Sequence, residues 1–139
     1  MKKPNIILII ASSIDGRLSY PLNKSTHIGS FEDKKILNNA ISKVDATIFG
    51  SGTLKVHQST FLVKEFINKT KFAIKDSQPI SIIAGDPNNF KKKWLYFNQP
   101  IKRWLITSNT EKITKDLNFD KEFFYKNSWL HTLSNFKKE

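Results

Sequence analysis

The sequence predicts an α/β fold built on a mostly parallel sheet flanked by helices. Three observations lead there. Short, continuous apolar runs rich in isoleucine recur along the chain, the pattern of strands covered on both faces. Between the first two runs lies a segment with apolar residues at helical spacing, and a strand, a crossover helix and a strand in that order make a right-handed parallel unit. The first two runs also end in small, polar, turn-forming residues, as strands do at the rim of such a sheet. At 139 residues the chain has the length of one domain, spanning 1–139, and folding would bury about 70% of its unfolded surface.

Taken in order, residues 6–10 (IILII) predict a first strand, central in its sheet, ended by Ser12, Ser13 and the Asp15-Gly16 turn. A loop to Ile28 follows. Ser30 precedes a helix in which Asp33 completes a capping box. Ile36, Leu37, Ala40, Ile41 and Val44 fall on its packed face, with Lys34, Lys35, Asn38 and Lys43 outside. Residues 45–53 (DATIFGSGT) read as a second buried strand running into a glycine-bearing turn. Residues 54–78 carry no clear period; Phe61, Leu62, Phe66 and Ile67 fit an irregular or a helical segment. Pro79 introduces a strand over 80–84, and Gly85-Asp86-Pro87-Asn88 is a turn. Residues 101–107 and 122–126 are further strands, and 128–138 a closing helix capped by Ser128.

Composition narrows the function. With no cysteine, disulfides, thiolate metal sites and cysteine nucleophiles are excluded, which suits a cytoplasmic protein in a reducing compartment. The opening MKKPNIILIIASS is charged and apolar like a signal peptide, but its apolar stretch is too short to span a bilayer, and Pro4 with the Asp-Gly turn fits a first strand. No membrane association is expected. A net charge of +11 invites a polyphosphate or nucleic-acid partner. Yet Arg17 and Arg103 are the only arginines, and the abundance of Lys, Ile, Asn and Phe is what an AT-biased genome supplies, so a solvated lysine surface without nucleic acid is expected. Lys91 to Trp94 and Lys102 to Trp104 mix cations with aromatics; a solvated edge with core-facing tryptophan is expected there, Arg103 pointing away from Lys102 and Trp104.

In open α/β sheets ligands bind beyond the carboxyl ends of the strands. The tips at residues 12–17 and 50–53 lie at such ends, and if their strands are neighbours they face one crevice. Gly50, Ser51, Gly52 and Thr53 offer close backbone approach and hydroxyls suited to a phosphate. They match neither the full dinucleotide fingerprint nor the P-loop, so a plain turn stays open as an alternative. His27, His57 and His131 show no metal-ligand spacing, and no metal is assigned.

Together these segments resemble the reductase domain of the bacterial riboflavin-biosynthesis deaminase-reductase, which has a dihydrofolate-reductase-like fold. The match runs through SIDGR at 13–17, HIGS at 27–30, DATIFGSGT at 45–53 and QPISIIA at 78–84, without a gap from His27 to Gly50. The resemblance implies NADPH-dependent hydride transfer to the ribose C1 of a 5-amino-6-(phosphoribosylamino)uracil-like substrate, a phosphorylated small molecule. By position it implies Ser13 and Asp15 as catalytic residues, with Ala11, Gly16, Gly50, Ser51, Gly52 and Thr53 holding the cofactor. His27, Ser30, Lys34, His57 and Lys64 would meet substrate, the two lysines standing where an arginine fork is expected. The sequence departs from the family at His57, Gln58 and Ser59, where Asp-Asp-Pro is usual, and at His27, Ile28 and Gly29, where Trp-Ile-Thr is. The family continues into a Gly-Gly turn and further strands, which predicts a domain lacking those C-terminal strands, with an open sheet edge covered in a homodimer. The alternative expectation is a non-catalytic remnant or oligomeric binding subunit of the same fold.

Overall fold

Four parallel strands form the centre of the protein, seen here in a computed structural model that describes residues 4–17, 30–68, 71–108 and 116–125. β1 (Ala46–Gly50), β4 (Ile80–Ala84), β5 (Arg103–Thr107) and β6 (Lys121–Phe124) lie side by side in that order. Gly50 pairs with Ala84 and Ala84 with Ile106, so these strands reach the carboxyl rim together. A separate antiparallel hairpin joins β2 (Lys64–Phe66) to β3 (Phe72–Ile74). The α/β class with a mostly parallel central sheet and flanking helices is the one the sequence predicts.

The predicted helix is α1 (Phe31–Ile41), and its capping box is present: Asp33 N–H donates to Ser30 Oγ at 3.1 Å and Ser30 N–H to Asp33 Oδ2 at 2.8 Å. Its faces differ from expectation. Ile41 is buried, but Ile36 is 69% exposed, because it lies about 100° around the helix from Leu37. Asn38, expected in solvent, is half-buried on the opposite flank and bonds to residue 64. The second polar tip is not a turn but the first turn of α2 (Ser51–His57), which ends where Gln58 enters the left-handed region at φ 55°. Residues 54–78 accordingly hold the rest of α2 and the hairpin, whose three-residue strands are too short to announce a period.

Residues 6–10 are a clear correction. Instead of a central strand they have no regular structure, and each is more than half exposed. An apolar β-branched run becomes a strand only when another strand accepts its backbone, and among the described residues no hydrogen bond joins residues 4–12 to the sheet. β5 is the other correction, being central rather than an edge. Arg103 is one of its buried members and Trp104 its half-buried one, where the sequence predicts a core-facing tryptophan. The predicted closing helix at 128–138 lies outside the described residues.

One face of the sheet is covered by α2 and a 3₁₀ turn (Leu95–Asn98). Leu54, Ile83, Trp94, Tyr96, Phe97 and Leu105 form the core there, with Phe49, Phe90, Ile101, Leu117 and Phe119 around it. Phe97 stands edge-on to Tyr96 at 5.1 Å and to Phe119 at 5.6 Å, the geometry aromatic rings prefer. Lys91, Lys92 and Lys93 are exposed beside buried Trp94, as a solvated lysine surface requires. No described helix is long and apolar enough to cross a membrane.

Candidate functional site

The carboxyl rim of the sheet gathers Gly50, Ser51, Gly52, Thr53 and Gly85. Gly50 closes β1 and stands at the N-cap of α2 without a side chain to cap it. The first N–H groups of any helix lack partners within it, and here the hydroxyls of Ser51 and Thr53 stand among them. A Cβ placed on Gly52 would meet nothing within 4 Å, so this glycine stands beside open space at the start of α2. Across from it, Gly85 continues β4 by donating its N–H to the Ile106 carbonyl at 2.9 Å.

Gly85 holds φ at +132°, a region L side chains rarely adopt, and an added Cβ would lie 2.6 Å from Ser51 Oγ and 3.1 Å from Ser51 Cβ. The Ser51 side chain thus packs directly over the Gly85 backbone, joining the ends of β1 and β4 into one surface. Next to it, Asp86 folds the turn on itself, accepting from Asn88 N–H and Asn88 Nδ2, each at 2.9 Å. In sequence Gly85 is one residue of a Gly-Asp-Pro-Asn turn; only the packing joins it to Gly50, Ser51, Gly52 and Thr53.

The other tip is closed on itself. Ser13 Oγ donates to Asp15 Oδ1 at 2.5 Å, Arg17 Nε lies 2.8 Å from Asp15 Oδ2, and Gly16 N–H donates to the Ser13 carbonyl at 2.9 Å. Gly16 takes φ 78°, as the turn demands. Both Asp15 oxygens therefore accept within the tip. Among the described residues, every hydrogen bond and ion pair of 13–17 stays inside that stretch, and Ala11 is exposed before it. Among the described residues no hydrogen bond or ion pair joins this tip to the Gly50–Thr53 rim.

The remaining predicted residues are spread out. His57 ends α2, about 9 Å along the helix from Ser51, at the end away from the rim. Ser30 spends its hydroxyl on the cap of α1, and Lys34 is exposed on that helix. Lys64 opens β2, its Nζ 4.0 Å from the centre of the Phe72 ring, a cation–π contact rather than a free anion clamp. His27 lies outside the described residues. Among the described residues no group of three or more His, Asp or Glu is placed to hold a metal ion.

Comparison with known proteins adds a family. The family model described as the RibD C-terminal domain matches residues 4–135. Neither the curated proteins nor the solved structures yield a match.

Proposed function

The chain belongs to the RibD C-terminal domain family, and from that premise we propose that it is an NADPH-dependent reductase domain of the riboflavin pathway, acting on a 5-amino-6-(phosphoribosylamino)uracil-like substrate. The observation that carries this reading is the continuous rim of Gly50, Ser51, Gly52, Thr53 and Gly85 at the carboxyl ends of adjacent parallel strands. Its residues suit a pyrophosphate: the N–H groups at the start of α2, the hydroxyls of Ser51 and Thr53 and the open space at Gly52 are of the kind such an anion takes. When bound, NADPH supplies the hydride; the protein's part is orientation and charge complementarity. Ser51 and Thr53 would fix the phosphates. Asp15, oriented by Ser13 and Arg17, would face the ribose at C1, where addition of hydride breaks the bond to the ring oxygen and that oxygen takes up a proton to leave a ribityl chain.

Titration of the purified chain with NADPH, followed by cofactor fluorescence, tests it. Saturable binding that weakens when Gly52→Val fills the open space at the rim is the expected result. Absence of saturation at millimolar cofactor removes the reductase reading.

A second reading is a non-catalytic subunit of the same fold. It is favoured by the tip at 13–17 keeping its bonds to itself and by His57 standing where the family has an acidic residue. An oligomer that binds NADPH yet shows no turnover with the phosphoribosylamino substrate would select it.

A further inference from the structure

The two edges of the central sheet are built differently. At one edge β6 carries Lys121 and Glu122, charges of the kind that keep strangers from pairing with an open strand. At the other, β1 reads Ala-Thr-Ile-Phe-Gly, with neither a charge nor a proline. Asp45 turns its carbonyl to β4, accepting from Ile80 N–H at 3.0 Å. Backbone groups alternate sides along a strand, so Ala46, Ile48 and Gly50 present theirs to the open side. Among the described residues nothing pairs there, and Ile48 is 43% exposed.

Elsewhere in the chain is a segment in the complementary state. Ile6, Ile7, Leu8, Ile9 and Ile10 are 53 to 79% exposed, five consecutive apolar residues in water without a backbone partner among the described residues. The segment equals β1 in length, carries no charge, and has the continuous apolar pattern of a strand covered on both faces. Within one molecule it does not lie on the β1 edge.

We propose that residues 6–10 of one copy add as a strand to the open edge of β1 in a second copy, and reciprocally, forming a strand-exchanged homodimer. The exchange is isologous, so one contact made twice closes the assembly and uses up both open edges. Alternate apolar side chains of each added strand join the covered face of the sheet and leave water with it. Two copies at +11 repel each other while the contact itself is apolar, so association strengthens with added salt. This inference does not rest on the reductase reading, and loss of NADPH binding would leave it standing.

Sedimentation velocity on the full chain at tens of micromolar tests it, with two variants. Ile48→Pro removes an N–H only on the open side, where an edge strand tolerates proline. Ile7→Lys with Ile9→Lys changes exposed residues and leaves the sheet intact. A wild-type dimer whose dissociation constant rises about tenfold or more in each variant is expected. A wild-type monomer, or a dimer that survives either change, overturns the proposal. Because the chain has no cysteine, Ile48→Cys can be paired with cysteine at 7, 8 or 9 in turn. Adjacent strands are about 4.8 Å apart, within disulfide reach. A covalent dimer on a non-reducing gel supports exchange, whereas intrachain bonds alone, or none from any pair, overturn it.

Discussion

Ser51 and Gly85 show how a single missing side chain holds the rim together. An added Cβ at Gly85 meets Ser51 Oγ at 2.6 Å and must also adopt φ +132°. The hydroxyl can rotate away, but Ser51 Cβ remains at 3.1 Å and the backbone strain is untouched. Gly85→Ala is therefore expected to destabilise the protein by about 2 to 4 kcal/mol in urea unfolding. Adding Ser51→Gly should recover only the steric part, a coupling of about 1 kcal/mol; no coupling at all would place the whole cost in the backbone. Tyr96 offers a second test at this scale. Burial pushes its phenol up to about 12, against the opposing effects of its hydrogen bond to Ser81 and of the Arg103 charge. The folded protein thus holds this proton more tightly than the unfolded chain, so the stability it confers is complete below pH 10 and is lost as pH rises from 10 towards 12. The loss is about 2 to 3 kcal/mol. Tyr96→Phe gives up only long contacts to Ser81 of 3.3 and 3.4 Å, and should flatten the alkaline slope while changing neutral stability little. An unchanged slope would assign alkaline unfolding to other groups.

Between α2 and β4 the chain is fixed by side-chain amides that take the place of a neighbouring strand. Gln99 accepts from Thr60 N–H at 2.9 Å and donates to the Thr60 carbonyl at 2.8 Å. Gln78 does the same for Val63 at 2.8 and 3.0 Å, and Asn38 for Lys64 at 2.7 and 2.8 Å. Replacing Asn38 with Ala leaves both backbone groups of Lys64 unpaired, at a cost of about 1 to 3 kcal/mol. Faster amide exchange at Lys64, with α1 otherwise unchanged, is the expected signature; equal exchange in α1 and β2 would mean the helix itself had failed. These clamps also mark where sequence reading stops. The capping box of α1 and the strands at 46–50, 80–84, 103–107 and 121–124 were legible, because each depends on residues close in sequence or on a continuous apolar run. Asn38, Gln78 and Gln99 were not, since one carboxamide serves equally in solvent or 39 residues away. The same limit explains residues 6–10: composition gives the propensity for a strand, but the partner edge is a property of the tertiary structure. At the site, Gly50–Thr53 was legible as a rim while Gly85 required the packing of Ser51 to be seen.

Over the whole molecule, a formal charge of +11 sets cohesion by the core against repulsion across the surface. Among the described residues, the Arg17–Asp15 and Lys35–Glu32 pairs do little to offset it: they join close neighbours in sequence through exposed side chains, a class worth at most about 1 kcal/mol. Two further cations meet a ring or a carbonyl, with Lys121 5.2 Å from the Trp104 ring centre and Arg103 Nε donating to the Tyr96 carbonyl at 3.0 Å. Such contacts hold side chains in place without cancelling net charge. Self-repulsion acts over the longest distances and is screened most when the Debye length falls from about 30 Å at 10 mM salt to about 8 Å at 150 mM. Raising sodium chloride over that range should therefore raise the melting temperature, by about 3 to 5 °C for roughly 1 kcal/mol of relieved repulsion in a chain of this size. A flat or falling melting temperature would mean that attractive pairs outweigh the repulsion. Salt also favours the exchanged dimer, whose stability depends on protein concentration, whereas repulsion within one chain does not. Repeating the melts over a hundredfold dilution separates the two, and the part of the salt effect that persists at the lowest concentration belongs to the charge of the single chain.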